Sequence, residues 1–128
     1  MTNEQQIREL VENWAAAVRR QDLDNILAHH SSDLVMFDVP PPFQSIGIQA
    51  YRTTWALFFG GTKPGVFDIQ TLDIHAGDDV AFCVATMKCQ DCSSDKACEL
   101  LDFRLTIGLK KLGDQWTIVH EHHSIPAE

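Results

Sequence analysis

The apolar pattern of the chain changes period once, and that change constrains the fold more than any other feature. Up to Phe59, hydrophobic residues recur every three or four positions. Ile7, Leu10, Val11, Trp14 and Val18 form one stripe, and Ile48, Tyr51, Trp55 and Phe58 or Phe59 form another. Such spacing gathers apolar side chains on one helix face. From Val66 onward the pattern has period two, through Phe67 to His75, Val80 to Cys89, Cys98 to Leu109 and Trp116 to Ser124, which predicts four long strands. The links Gly77 to Asp79, Gln90 to Ala97 and Lys110 to Asp114 are short or polar, so neighbouring strands are expected to pair antiparallel in a meander. Helices first and sheet last means an α+β fold.

Local signals set the boundaries. Thr2 and Gln5 have capping-box spacing for a first helix that should end near Arg20, and Asp22 can cap a short second helix ended by His29 and His30. Leu34 to Val39 reads as a short strand, stopped where Pro40, Pro41 and Pro42 remove the amides that a continuing sheet would need. A third helix runs from Gly47 through Phe59, with Gly60 and Gly61 at its exit. The chain has 128 residues, enough for one hydrophobic core and too few for two ordinary domains, so residues 1–128 are expected to form a single domain.

Charge and cysteine usage narrow the partners. The net charge of −8 disfavours nucleic acid and anionic membrane. No run approaches the roughly 20 apolar residues that cross a bilayer, and no basic start leads into an apolar segment, so the expectation is a soluble, cytoplasmic chain without structural disulfides. Cys89, Cys92 and Cys98 are three clustered thiols without a clear fourth ligand, and the sequence holds no glycine-rich phosphate loop and no G-x-S-x-G elbow. Neither a metal nor a cofactor is expected.

Helices covering one face of a twisted sheet should leave a cleft where coverage is incomplete. Asp38, at the strand stop, is the best general-base candidate for that cleft. On the last strand, period two puts Trp116, Ile118, His120, His122 and Ser124 on one face and Thr117, Val119, Glu121 and His123 on the other. Trp116 and Ile118 argue that the first set points inward, which carries His120 and His122, about 7 Å apart, to the pocket rim, where imidazole suits proton transfer. Arg104 shares a face with Asp102 and Thr106, and either clamps an anion or Asp38 from inside the cleft or faces solvent. Trp14, Tyr51 and Trp55 are either core residues or the wall of a mostly apolar small-molecule site. Val80, Phe82 and Val84 alternate with Ala81, Cys83 and Ala85, so both faces of that strand are apolar and a second subunit could cover the outer one.

Several segments together resemble the SnoaL-like branch of the NTF2-like, ketosteroid-isomerase-like superfamily. They are Gln21-Asp22-Leu23-Asp24, Phe37-Asp38-Val39-Pro40-Pro41, Gly47 through Trp55, Gly77-Asp78-Asp79-Val80-Ala81-Phe82, Phe103-Arg104-Leu105-Thr106 and the run from Trp116 to Pro126. The resemblance implies a cone, with three N-terminal helices packed on a strongly curved, mostly antiparallel sheet around a deep pocket, and a homodimer through the outer sheet face. It also implies that Asp38 stands where ketosteroid isomerases carry their proton-transferring Asp. Trp14 falls near their oxyanion-binding Tyr, and their second, protonated Asp has no counterpart here.

The resulting expectation is a cofactor-independent isomerase, cyclase or dehydratase. Asp38 would remove a proton beside a carbonyl in a hydrophobic small molecule, and His120, His122 or Tyr51 would stabilise the enolate. The alternative is a noncatalytic small-molecule-binding or homo-oligomerisation module, because the fold alone does not choose between them.

Overall fold

A computed structural model of the chain describes residues 1–60, 65–91 and 99–127. Helix α1 spans Asn3–Arg20 and opens on the expected reciprocal cap: Gln5 N donates to Thr2 Oγ1 at 3.1 Å, and Thr2 N donates to Gln5 Oε1 at 2.8 Å. It stops where Gln21 turns left-handed at φ 56°. Ile7, Val11, Trp14 and Val18 are buried, so the stripe read from the sequence is the face that packs on the sheet. Helix α2, Leu23–Leu27, starts on Asp22, whose side chain accepts from Asn25 N.

The strands are β1 His30–Phe37, β2 Ser45–Ile46, β3 Phe67–Ala76, β4 Val80–Asp91, β5 Glu99–Leu112 and β6 Gln115–Ser124, with helix α3 at Ile48–Gly60. They form one six-stranded sheet in the order β2-β1-β6-β5-β4-β3. The meander β3 to β6 is antiparallel as expected, but β1 lies parallel to the last strand β6.

Two expectations are corrected. The helices are not all N-terminal: α3 follows β1 and β2, because the segment before the prolines is a full strand inside the sheet, paired with both β2 and β6. Nor is the sheet a strongly curved cone. It is mixed and open, with β2 and β3 as its free edges. Its central β4–β5 ladder runs in unbroken register from Val80 opposite Lys110 to Asp91 opposite Glu99, and the register shifts lie in the flanking ladders β3–β4, β5–β6 and β1–β6.

Alternate residues of β4 and β5 build the covered face: Ala81, Cys83, Ala85 and Met87, then Phe103, Leu105, Ile107 and Leu109, are buried. Leu34 and Met36 of β1 and Trp116 and Ile118 of β6 extend it. Arg19 and Arg8 of α1 donate to the carbonyls of Phe67 and Leu72 on β3, tying the first helix to one sheet edge. On the opposite face Val80, Phe82 and Val84 are about half exposed. Among the described residues no helix is long and apolar enough to cross a membrane.

Candidate functional site

The decisive local feature is a bulge in β6. Leu109 pairs with Ile118 but Gly108 pairs with His120, so Val119 is an extra residue opposite β5. One inserted residue reverses the alternation beyond it. Trp116 and Ile118 point inward as expected, but after the bulge Glu121 and His123 are the buried residues, and His122 is exposed. The expected inward placement of His120 and His122 is thereby corrected. His120 and His122 instead meet Phe37 edge-on with ring centroids at 4.9 and 5.4 Å, and His120 Nδ1 lies 2.7 Å from the Val35 carbonyl. Arg104 is exposed on that same outer face, donating to Ser124 Oγ at 3.1 Å, so neither an Asp38 pair nor an interior clamp is formed.

Inside, Glu121 is fully buried and is the acceptor of a network drawn from both ends of the chain. Tyr51 of α3 donates its hydroxyl hydrogen to Oε2 at 2.7 Å, His30 Nε2 lies 2.6 Å from the same oxygen, and His123 Nε2 lies 2.9 Å from Oε1. Trp14 Nε1 of α1 donates to the Tyr51 oxygen at 3.0 Å. His30 Nδ1 faces the Ala28 carbonyl at 2.9 Å. Both His30 ring nitrogens thus face oxygen atoms, a carboxylate on one side and a carbonyl on the other.

The charges follow from these contacts. Burial pushes the Glu121 carboxyl up, but hydrogen bonds from His123 and His30, and their charges, outweigh it and hold the group at about 2. Tyr51 moves well above its ordinary range through burial, with the neighbouring Glu121 charge and hydrogen bond adding to it, so the phenol stays neutral. For His123, burial works against the charged ring, yet the Glu121 hydrogen bond and charge, with a further contribution from the Asp38 charge, raise its pKa.

Aromatic rings enclose the network. Trp14 packs edge-on to Trp55 and Phe67, the His123 ring stacks on Phe103 at 5.7 Å, and His30 stacks on Tyr51 at 4.8 Å. Trp55 Nε1 is a buried donor without a hydrogen bond among the described residues. With Trp14 it favours the Tyr51 phenolate, against the larger effects of burial and Glu121, without itself reaching hydrogen-bond geometry. Asp38 is partly buried just past the end of β1. One oxygen, Oδ1, accepts from Val39 N at 2.8 Å, and Oδ2 has no hydrogen bond among the described residues.

A groove of about 580 Å³ lies elsewhere, between α1, the α2–β1 turn and the start of β6, where Gln6, Asn13, Asn25, His29 and Gln115 line it. Trp14 reaches its wall, but Asp38, Tyr51, Glu121 and His123 do not. Among the described residues no cluster of three or more His, Cys, Asp or Glu could hold a metal ion. Cys83 and Cys89 are buried, and burial pushes the Cys83 thiol up to about 11; the Cys92 and Cys98 part of the thiol cluster lies outside the described residues.

The model of the SnoaL-like domain matches residues 7–128. The chain belongs to the SnoaL-like family. An NTF2-like protein of unknown function from Pseudomonas putida KT2440 is similar at 34% identity, with 100% of this chain and 91% of that chain covered and a TM-score of 0.86. A ketosteroid isomerase-like protein from Erwinia carotovora atroseptica SCRI1043 shares the fold at 15% identity, with 99% and 100% covered and a TM-score of 0.81. So does an NTF2-like superfamily protein from Salmonella enterica serovar Typhimurium LT2, at 17% identity, 97% and 91% covered and a TM-score of 0.81. A search of curated proteins gave no match. This SnoaL-like domain therefore carries an NTF2-like fold, with an aromatic cluster on its covered sheet face.

Among the sequence-derived candidates, Trp14 and Tyr51 meet in the network and Trp55 packs against both, while Asp38 stands close enough for its charge to act on His123. His30, Glu121 and His123 were not singled out by the periodicity. Gly108, a glycine inside a strand, was the available signal of the bulge.

Proposed function

We propose that this SnoaL-like domain is a cofactor-independent isomerase, cyclase or dehydratase that moves a proton beside a carbonyl of a hydrophobic small molecule. The observation that carries this reading is the neighbourhood of Asp38 and His123: a carboxylate and an imidazole beside an aromatic cluster, each with an atom that has no hydrogen bond among the described residues. The Val39 amide fixes one oxygen of Asp38, and the second is available to take a proton from a carbon acid. Trp14, Tyr51 and Trp55 supply the apolar surface that would hold a flat carbon skeleton. The unpaired Trp55 N–H is a donor for a ligand oxygen, since a buried donor left unmade costs about 1–3 kcal/mol.

Deuterium uptake from D2O into the α-positions of small ketones, followed by NMR, tests the reading. Asp38→Asn should lower the rate roughly 100-fold or more, the scale of a lost general base. Equal rates in the two proteins would reject Asp38 as the base.

A specific observation favours a second reading, a noncatalytic binding module: Trp14, Tyr51 and Trp55 pack against one another in the interior. Ketone binding without any α-proton exchange would select it. In either case the half-exposed Val80, Phe82 and Val84 face supports a homodimer through the outer sheet.

A further inference from the structure

We infer that His123 is the proton donor of this site, working through Nδ1, and that Glu121 is its positioning residue. This rests on the reading of an acid–base site given above and adds the group that Asp38 alone does not provide. The geometry is that of an oriented imidazole. Glu121 Oε1 holds Nε2 at 2.9 Å, Phe103 fixes the ring plane by stacking at 6° between planes, and Nδ1 has no hydrogen bond among the described residues. A carboxylate on one ring nitrogen orients the ring and favours the imidazolium, whose Nδ1–H then points away from Glu121. His123 is buried at 7% exposure, against 0% for Glu121, so it is the member of the pair that keeps some contact with the surface.

The other donors are committed elsewhere. Tyr51 places its hydroxyl hydrogen on Glu121, and His120 directs Nδ1 at Val35 O from the outer half of the strand. His122 and Arg104 are exposed on the far face. Trp55 can bind an oxygen but an indole N–H does not yield its proton near neutral pH.

The groups around His123 also balance its charge. Glu121 on β6 and Asp38 after β1 are the charged neighbours, and the other packed elements present the neutral Trp14, Trp55 and Phe103. Against burial, both carboxylates favour the imidazolium. Asp38 and His123 then act together. The carboxylate takes the α-proton and the C–H electron pair becomes the C=C bond. The carbonyl π pair moves to oxygen, which receives the Nδ1 proton. In the return step the enol gives its O–H proton back to Nδ1, and Asp38 delivers its own to carbon, at the original or a conjugated position. Both groups end in their starting states, and no electron acceptor is needed.

The experiment uses the full chain, side-chain ¹⁵N spectra of its histidines, and 1-indanone as the probe. The expected result is that 1-indanone moves the His123 Nδ1 resonance and leaves His122 in place, and that His123→Gln lowers deuterium uptake into 1-indanone at least tenfold. Glu121→Gln should keep partial activity with the arm of the pH profile that reports the donor displaced to lower pH. An unmoved His123 resonance at 1-indanone concentrations that perturb Trp55, or full exchange activity in His123→Gln, overturns the inference. Failure of the base reading is separate: if even the wild-type protein exchanges nothing, that reading falls. The response of Nδ1 to 1-indanone still decides whether His123 faces the ligand.

Discussion

His30 and Glu121, 91 positions apart, meet at 2.6 Å between Nε2 and Oε2 with both side chains fully buried, so a single contact joins the first strand of the sheet to the last. The pair lies on the parallel ladder where β1 and β6 run side by side. It closes the fold and, through Glu121, fixes the His123 ring.

Breaking that contact should be costly. Glu121→Ala leaves two buried histidines without their acceptor and should destabilise the protein by about 3–5 kcal/mol. Urea unfolding of the two proteins checks this, and an unchanged midpoint would contradict the buried network.

The network should also set the pH range of stability. Glu121 is held at about 2 against an ordinary 4.5, so its contribution is complete above pH 4.5 and is lost as pH falls toward 2. His123 is raised above 6.5, so its contribution is complete below pH 6.5 and is lost as pH rises through the higher folded value. The stability difference between wild type and Glu121→Gln should therefore be greatest between pH 4.5 and 6.5. A difference independent of pH in urea titrations would be the contrary result.

At the other end of α1 the capping box is exposed and local. Thr2→Ala should cost about 1 kcal/mol and leave the site untouched. Thermal unfolding measures the first and deuterium exchange into a ketone the second.

The outer sheet face gives an independent test of assembly. The account predicts a dimer in solution that Phe82→Glu dissociates, since a charge would enter an apolar contact between copies. Sedimentation across a dilution series reports it, and a wild-type monomer at high micromolar concentration would contradict the dimer.

Much of this was legible in the sequence where periodicity is unbroken. The Ile7 to Val18 stripe, the cap at Thr2 and the alternation along β4 and β5 translate directly into buried faces. The site was legible only in part, because Val119 shifts the phase of β6 and exchanges His120 and His122 for Glu121 and His123. His30 reads locally as a residue near a helix end. Its partner is 91 positions away, and the parallel pairing that brings the two together leaves no short-range mark.

A crystal structure with 1-indanone bound tests the central claim most directly. The account predicts the ketone against Trp14 and Trp55, its oxygen about 3 Å from His123 Nδ1 and its α-carbon facing Asp38. A ketone seated instead in the groove between Asn13, Asn25 and His29, or on the outer face beside His122 and Arg104, would contradict it.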